Sequence, residues 1–343
     1  MKRIQQFWLG LVIVSLFGTV RGVAQLEPSR DRLAFSARFG LNFSAKMEGA
    51  STIPVPSSTR TTPDGDTYNY DNGYLFADVS GSGDGYTWYW GYDGSEQIDT
   101  ANNTILLSGA TGNARLNSPD LDDDPAAGME ITYTRELGVS ENFRYGFEGA
   151  LNYLNLGFSG GGYNLTAPMT TDAYAFTPGT TPPGAPYGGT FNGPGYAIGS
   201  TPTSSTTTIG TVGTATGTRE FDGSLWGARV GPYAEFYLNK TVSVSLSGGL
   251  ALGWLNGSAS WNESFTFVNG AVVNDSGSES DSALLAGGYL AANVYWRLAE
   301  HWSAAGSLQF QSLGTYDEVF GSRRVELDLS KSFLFSLGVC YGF

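Results

Sequence analysis

The sequence contains few charged residues and almost no cysteine or histidine. Only 15% of its 343 residues are charged, with one cysteine and one histidine. The single cysteine excludes an internal disulfide. Acidic residues outnumber basic ones by 32 to 18, for a net charge of −14, so nucleic acid is not an expected partner. Disorder is not expected either, because disordered chains have few aromatic residues and this chain has 14%.

Long hydrophobic runs are also missing. The longest run, residues 7–20, is shorter than the about 20 apolar residues of a membrane-spanning helix. Lys2 and Arg3 precede the run, and small residues follow it at the spacing that signal peptidase requires. These features predict a secretory signal over residues 1–24 and an exported domain over 25–343.

Alternation of apolar and polar residues dominates the end of the chain. At every second position from 325 to 343, nine of the ten residues are apolar, whereas the positions between them are mostly small or polar. Strands of soluble proteins average about 5 to 6 residues, and a tilted membrane strand needs about 9 to 11. The length of the pattern therefore favours a strand that crosses a bilayer.

The same alternation recurs upstream, in pairs joined by short turns, as expected of antiparallel hairpins. We predict an all-β fold, a closed antiparallel transmembrane β-barrel of eight strands, with ten as the alternative count. Closure is required because lipid offers no partner to an unpaired backbone amide. Pro232 has no amide hydrogen, so we expect a β-bulge there. The predicted strands cover residues 33–47, 126–138, 142–158, 220–238, 241–266, 281–298, 301–314 and 322–343.

The predicted connections differ in length between the two ends of the barrel. Short turns lie at one end, and the long loops 48–125 and 159–218 lie at the other. Bacterial barrels keep short turns in the periplasm and long loops outside the cell. We therefore expect an integral protein of the cell outer membrane with both termini in the periplasm. Loop 159–218 is nearly uncharged and rich in Gly, Pro, Thr and Ser, which predicts a flexible surface segment.

The chain resembles the small outer-membrane barrel proteins of Gram-negative bacteria, the OmpA-like and OmpX-like superfamily. The most specific resemblance is in the last strand, where an aromatic terminal residue follows alternating apolar residues: Phe335, Leu337, Val339, Tyr341 and Phe343. It covers the eight strands only. It implies outer-membrane lipid as a partner, and recognition by the barrel assembly machinery through the C-terminal strand. No peptidoglycan-binding domain is expected after Phe343.

Six charged residues fall on the polar face of the first four predicted strands. An eight-stranded barrel is only wide enough for side chains to fill, and buried opposite charges should pair. We predict an ion-pair plug in the lumen, in which Arg229 neutralises Glu130 or Glu148. The alternative is a gate or ion path through the same residues. The six are Arg38, Glu130, Arg144, Glu148, Arg229 and Glu235.

Loop 48–125 carries thirteen acidic residues against Arg60 and Arg115. Clustered carboxylates suit hard cations such as calcium, but Pro125 occupies a position where an EF-hand needs glycine. A solvated acidic loop is the preferred interpretation, and a metal site is the weaker alternative. Its candidate ligands are Asp120, Asp122, Asp123 and Asp124.

The same loop contains an aromatic segment, residues 86–92, which we predict to form a hairpin with residues 105–107. The aromatic rings could stack on sugars, cover the barrel mouth as a lid, or belong to two additional membrane strands. We prefer the lid. The rings are Tyr86, Trp88, Tyr89, Trp90 and Tyr92.

No catalytic constellation is recognisable. Barrel enzymes of similar size use a histidine at the outer rim as a general base, whereas His301 falls in a predicted periplasmic turn. Cys340 has no second cysteine as a redox partner and is interpreted as a small packing residue. We therefore predict a non-enzymatic envelope protein without cofactors, which contacts an unknown surface ligand through its loops. The alternative function is a narrow channel for small solutes.

Overall fold

The computed structural model describes residues 29–49, 53–116, 120–123, 125–140 and 143–343. The predicted signal over residues 1–24 lies outside these residues, as does Asp124. Within the described part of the chain the only helical segment is a 3₁₀ turn at Ser95–Gln97, and no helix there could cross a membrane. The strands are β1 (Asp31–Leu41), β2 (Ser44–Gly49), β3 (Ile53–Pro54), β4 (Gly73–Leu75), β5 (Tyr86–Thr87), β6 (Trp90–Tyr92), β7 (Ile98–Asp99), β8 (Thr104–Ala110), β9 (Asn113–Leu116), β10 (Asp120–Asp123), β11 (Ala126–Val139), β12 (Phe143–Gly160), β13 (Tyr163–Ala175), β14 (Tyr187–Gly188), β15 (Ile198–Gly199), β16 (Ser204–Tyr237), β17 (Val242–Phe267), β18 (Val272–Arg297), β19 (Trp302–Ser312), β20 (Thr315–Phe320), β21 (Arg323–Asp328) and β22 (Ser332–Gly342).

Eight of these strands pair in an antiparallel ring. The order is β1, β11, β12, β16, β17, β18, β19 and β22, and β22 pairs back with β1. The predicted all-β antiparallel architecture is confirmed, and each predicted strand has a counterpart in the ring. Short turns join the ring strands at one end, which we call the short-turn end. The opposite end, which carries the long connections, is the long-loop end.

Alternation along each ring strand produces two different faces. On β16, Trp226 and Val230 are exposed on the outer face, whereas Leu225, Arg229 and Tyr233 are buried inside the ring. The same period of two holds around the ring because successive side chains in a strand point to opposite faces. The outer face is apolar, and the interior contains the charged side chains.

Three ring strands extend far beyond the ring at the long-loop end. β16 begins at Ser204 instead of residue 220, and β18 begins at Val272 instead of residue 281. We call this extension, residues 204–224, 256–267 and 272–282, the projecting sheet. It remains hydrogen-bonded throughout, with β16 pairing with β17 as far as Gly213 and β17 pairing with β18 as far as Val272.

The prediction of a flexible surface segment over residues 159–218 was wrong for β13 and for the part of β16 that falls within it. β13 pairs along its length with the outer part of β16 and with β8. The segment is rich in threonine, whose β-branched side chain suits a strand. Threonine hydroxyls also meet across the strands, with Oγ1 of Thr170 and Thr207 3.0 Å apart.

Two predicted strands are broken, and their apolar faces change sides at the breaks. The predicted strand 322–343 is two strands, β21 and β22. Val325 and Leu327 of β21 are fully buried, whereas Phe333 and Phe335 of β22 are exposed. The predicted strand 33–47 is likewise β1 and β2, separated at Asn42, which has a positive φ of 63°. The prediction of a single outward apolar face over residues 325–343 was therefore wrong.

The inner apolar residues of β2, β20 and β21 form the main hydrophobic core at the long-loop end. Met47, Phe320 and Val325 pack in one cluster with Phe221 and Leu255 from the inner faces of the ring strands. Burial of this apolar area stabilises the mouth of the ring at about 25 cal/mol per Å². Along β16 this core, with Phe221 and Leu225, lies between the buried Arg229 and the buried Arg219.

The β-bulge predicted at Pro232 does not form. Val230 is opposite Leu250 and Tyr233 is opposite Ser247, which is the same register on both sides of the proline. The proline, which cannot donate a backbone hydrogen bond, is accommodated by a gap in the pairing instead of an inserted residue.

The predicted hairpin between residues 86–92 and 105–107 was also wrong. β5 pairs with β15, β6 pairs with β4 and β14, and β8 pairs with β13 and β7. None of these strands joins the ring. Trp90 and Tyr92 pack against Ile105 and Leu107 in a separate small core, so these two rings are not available for stacking on sugars.

Candidate functional site

The middle of the ring contains four charged side chains in mutual contact, which we call the central charge group: Arg38, Glu130, Glu148 and Arg229. Arg229 Nη2 lies 3.2 Å from Glu130 Oε1, and its Nη1 is paired with Glu148. Arg38 forms an ion pair with Glu130. All four side chains are at most 3% exposed.

The central charge group is electrically neutral, with two guanidinium groups and two carboxylates. This balance matters because an uncompensated charge in a low-dielectric interior is very costly. Neighbouring side chains make further contacts with these four residues. Ser247 donates a 3.2 Å hydrogen bond to Glu148, and the Arg229 guanidinium lies 4.8 Å from the centre of the Tyr289 ring. The arrangement leaves none of these four charges without a partner of opposite sign.

A second group lies towards the short-turn end, and we call it the short-turn charge group: Arg32, Glu136, Arg144 and Glu235. Glu235 accepts from both arginines, at 2.6 Å from Arg32 Nη2 and 2.8 Å from Arg144 Nη2. Ser243 donates a further 2.5 Å hydrogen bond to the same carboxylate. Glu136 is more distant, with its Oε2 3.7 Å from Arg144 Nη1.

A third group lies at the long-loop end, and we call it the long-loop charge group: Arg219, Glu263, Asp275 and Arg323. Glu263 pairs with both arginines. Arg323 Nη2 also lies 2.8 Å from Asp275 Oδ2. These contacts connect β21 to the inner faces of the projecting sheet.

The six charged residues predicted from sequence thus fall into the first two groups. Arg38, Glu130, Glu148 and Arg229 meet in the centre, and Arg229 contacts both of the glutamates that were considered as its partners. Arg144 and Glu235 lie apart from them in the short-turn charge group.

Six further charged residues of these groups were missed by the sequence analysis. Arg32 and Arg219 each lie one residue outside a predicted strand. Both nevertheless occupy the alternate positions at which the side chains of that strand face the interior. Glu136 and Glu263 lie inside predicted strands at inward positions and could have been found by extending the count of alternate positions. Asp275 and Arg323 could not, because Asp275 precedes the predicted start of its strand and β21 was merged with β22.

The other candidate residues occupy separate places. The five apolar residues of the C-terminal strand, Phe335, Leu337, Val339, Tyr341 and Phe343, are all exposed on the outer face of the ring. Cys340 is buried on the inner face. His301 is in a short turn, with its Nδ1 3.0 Å from the carbonyl oxygen of Gly342.

The metal candidates are only partly described. Asp120, Asp122 and Asp123 lie on β10, and Asp124 is outside the described residues. Among the side chains that the structure describes, no group of three or more His, Cys, Asp or Glu could hold a metal ion.

No protein-family model and no curated protein matches the sequence. The chain is similar to solved outer-membrane proteins in fold. The attachment invasion locus protein Ail of Yersinia pestis shares 8% identity, over 91% of this chain and 99% of that chain, with a TM-score of 0.26. The outer membrane protease OmpT from Escherichia coli shares 10%, over 93% and 99%, with a TM-score of 0.36. The outer membrane protein OprG from Pseudomonas aeruginosa shares 9%, over 92% and 97%, with a TM-score of 0.31. At these scores none of them assigns a function to this chain.

Proposed function

We propose that the chain is a non-enzymatic, integral outer-membrane β-barrel protein of eight strands, with a lumen plugged by ion pairs. Its projecting sheet would serve surface contact outside the cell. The observation that carries the proposal is a continuous belt of exposed apolar side chains around the ring, with aromatic residues at both edges. We call it the apolar belt.

At the long-loop edge of the apolar belt, aromatic side chains stand side by side on neighbouring strands. Tyr153 is opposite Trp226, and Trp226 is opposite Trp254. At the short-turn edge, Trp302 is opposite Tyr341. Tryptophan and tyrosine favour the boundary between lipid and water because each combines an apolar ring with a polar atom. The two aromatic rows match the two interfaces of a bilayer.

The height of the apolar belt also fits a bilayer. Along β16 it runs from residue 226 to 236, and along β22 and the following Phe343 it runs from residue 333 to 343, or 11 residues in each case. A tilted strand needs about 9 to 11 residues to span the hydrocarbon core. Above Trp226 the outward residues become polar at once, beginning with Ser224 and Asp222. In a water-soluble barrel, polar outward residues would be distributed along the whole strand and not confined to one end.

The filled interior supports a plugged lumen over a channel. The three charge groups succeed one another along the lumen, and Arg38, Glu148 and Arg219 are each at most 1% exposed. The apolar core around Phe221 and Phe320 lies between the central charge group and the long-loop charge group. The buried side chains inside the ring are consistent with its size, because eight strands enclose only enough space for side chains.

The projecting sheet supports a role in surface contact. Apart from Val272, its outward residues on β17 and β18 are Ser, Asn and Thr, including Asn262, Thr266 and Ser278. Such a surface offers hydroxyl and amide groups for hydrogen bonding to a polar partner. Because Ser29, the first described residue, and Gly342 both lie at the short-turn end, export through the periplasm would place this sheet outside the cell.

Cysteine labelling on intact cells tests the location and orientation. In a Cys340→Ser background, Ser278→Cys on the projecting sheet should react with a membrane-impermeant maleimide. Thr241→Cys, in a short turn, should react only after the outer membrane is permeabilised. The reverse pattern would contradict the orientation, and recovery of the protein in the soluble periplasmic fraction would contradict the membrane assignment.

Conductance in planar bilayers distinguishes the plug from the channel. The wild-type protein should show little conductance, and Arg229→Ala should lose stability without gaining large openings. Stable openings in the wild-type protein would contradict the plug. New conductance of Arg229→Ala at unchanged stability would favour a gate.

A further inference from the structure

A cavity of about 490 Å³ opens at the short-turn end of the ring. It leads from the turn residues down to the short-turn charge group. Four basic side chains line it, namely Arg32, Arg144, Lys240 and Arg297, whereas Glu300 is the only acidic residue among those that line it. This is an unusual concentration of positive charge for a chain with a net charge of −14.

The deep part of the cavity has more hydrogen-bond donors than acceptors. Glu235 is already bonded to Arg32, Arg144 and Ser243. Among the described residues, three donors there are buried without a hydrogen-bond partner, namely Nε and Nη1 of Arg144 and the hydroxyl of Tyr237, against one such acceptor, Oε2 of Glu136. The nearest carboxylate to Arg144 Nη1, that of Glu136 at 3.7 Å, is too far for a hydrogen bond.

These unpaired donors are of a kind that recognises oxyanions. A guanidinium presents its N–H groups as a planar fork, which matches two oxygens of a carboxylate or phosphate. Arg144 is only 4% exposed, so its fork is held in place and is weakly screened by water and salt. Lys240 at the rim is exposed and would attract anions towards this position.

We propose that this cavity binds a small soluble oxyanion that carries phosphate or carboxylate groups. Arg144 forms the deep contact, Tyr237 donates from the wall, and Lys240 and Arg297 form the basic rim. The site belongs to the folded chain itself and does not depend on the proposed membrane location or on the plug. It is distinct from the long-loop end, which faces the opposite side.

Calorimetric titration of the full chain in neutral detergent micelles tests the site, with inorganic phosphate and citrate as probes at low ionic strength. The double variant Lys240→Gln/Arg297→Gln should bind both probes about tenfold more weakly than wild type, because two favourable charge interactions are lost. The matched control is Lys331→Gln/Arg324→Gln, which removes one lysine and one arginine at the long-loop end. It should bind like wild type.

A third variant tests the deep contact. Arg144→Lys keeps the positive charge next to Glu235 and loses the planar fork, so its affinity for citrate should fall although its gel mobility and circular dichroism remain those of the folded protein. Phosphatidylglycerol added to the micelles distinguishes a lipid headgroup from a soluble ion. The proposal is wrong if neither probe binds, if the rim variant binds like the control, or if only the lipid binds.

Discussion

Trp226 on β16 and Trp254 on β17 stand directly opposite each other, and both are 56% exposed on the outer face of the ring. Towards the short-turn end the outward residues of both strands are apolar. Beyond the pair, towards the long-loop end, they are Ser224 and Asn256. The two tryptophans therefore mark a boundary in the chemistry of the outer face, which we attribute to the edge of a bilayer.

A charged residue introduced on the short-turn side of this boundary should destabilise the protein much more than the same residue introduced on the long-loop side. Leu250→Arg introduces a cation in the middle of the apolar belt, and it should destabilise the protein in lipid vesicles by about 2 to 4 kcal/mol. Asn262→Arg is the matched control, on the outward face of the same strand but in the projecting sheet, and it should change stability little. Denaturant unfolding in vesicles measures both. Equal effects would mean that the apolar belt is not in lipid.

The central charge group makes a sharper prediction about Arg229. Arg229→Ala leaves two carboxylates with Arg38 as the remaining cation, and loss of one partner of a buried pair typically costs about 3 to 5 kcal/mol. The midpoint of denaturant unfolding should therefore fall clearly. Arg324→Ala removes an exposed arginine that pairs with Asp317, and its midpoint should stay near that of wild type, because exposed pairs contribute little.

The structure also predicts which second substitution restores stability. Glu130 keeps Arg38 when Arg229 is removed, whereas Glu148 has Arg229 as its cationic partner among the described ion pairs. Arg229→Ala/Glu148→Gln should therefore recover more stability than Arg229→Ala/Glu130→Gln. A double-mutant cycle measures the two coupling energies. Equal recovery by both glutamine variants would show that the charges act as one undivided group.

Counting alternate positions along the predicted strands was sufficient to place Arg38, Glu130 and Arg229 inside the ring, because successive side chains in a strand point to opposite faces. It failed where the strand direction changes. Asn42 interrupts the first predicted strand, and the turn at residues 329–331 interrupts the last. Beyond such a break, side chains at the same alternate positions point to the opposite face. Val325 is therefore buried, whereas Phe335 is exposed.

The pairing of β13 with β16 and β8 could not be predicted for a different reason. The apolar face of β13 is short, with Tyr163, Leu165, Ala167 and Met169 followed by a polar run of Thr and Asp, so its strand register is only weakly specified by its own sequence. Its order comes from partners far away in the chain, such as Ser108 opposite Thr171. Local composition therefore indicated flexibility where long-range pairing gives an ordered sheet.

The C-terminal residue should matter for assembly more than the neighbouring cysteine does. Phe343 is exposed on the outer face, and its backbone amide donates a 2.9 Å hydrogen bond to the carbonyl of Asp31. Cys340 lies on the inner face, where serine is nearly the same size. Deletion of Phe343 should reduce the amount of folded protein in the outer membrane, measured by heat-modifiable gel mobility, and Cys340→Ser should not. Equal insertion of the two variants would contradict an assembly signal in the last strand.

Tyr70 packs against the small core of Trp90 and Ile105, and it should make this core sensitive to alkaline pH. Its hydroxyl donates a 2.7 Å hydrogen bond to Asp172 Oδ2 and lies 2.6 Å from the Tyr174 hydroxyl. Burial, together with these two hydrogen bonds, raises the pKa of Tyr70 well above its usual range. An unfolded tyrosine ionises near pH 10. Because the folded pKa is the higher one, the stabilising contribution is fully present below about pH 10 and is lost as the pH rises further.

Near-ultraviolet circular dichroism of wild type, Tyr70→Phe and Tyr86→Phe at pH 7 and pH 11 measures this contribution. At pH 7, Tyr70→Phe should melt at a lower temperature than wild type, because the contact with Asp172 is lost. At pH 11 the difference should shrink, since wild type has then lost the contribution as well. Tyr86 is 49% exposed and serves as the control, with the same small effect at both pH values. A difference between wild type and Tyr70→Phe that stays constant from pH 7 to pH 11 would show that ionisation of Tyr70 is not coupled to the folding of this small core.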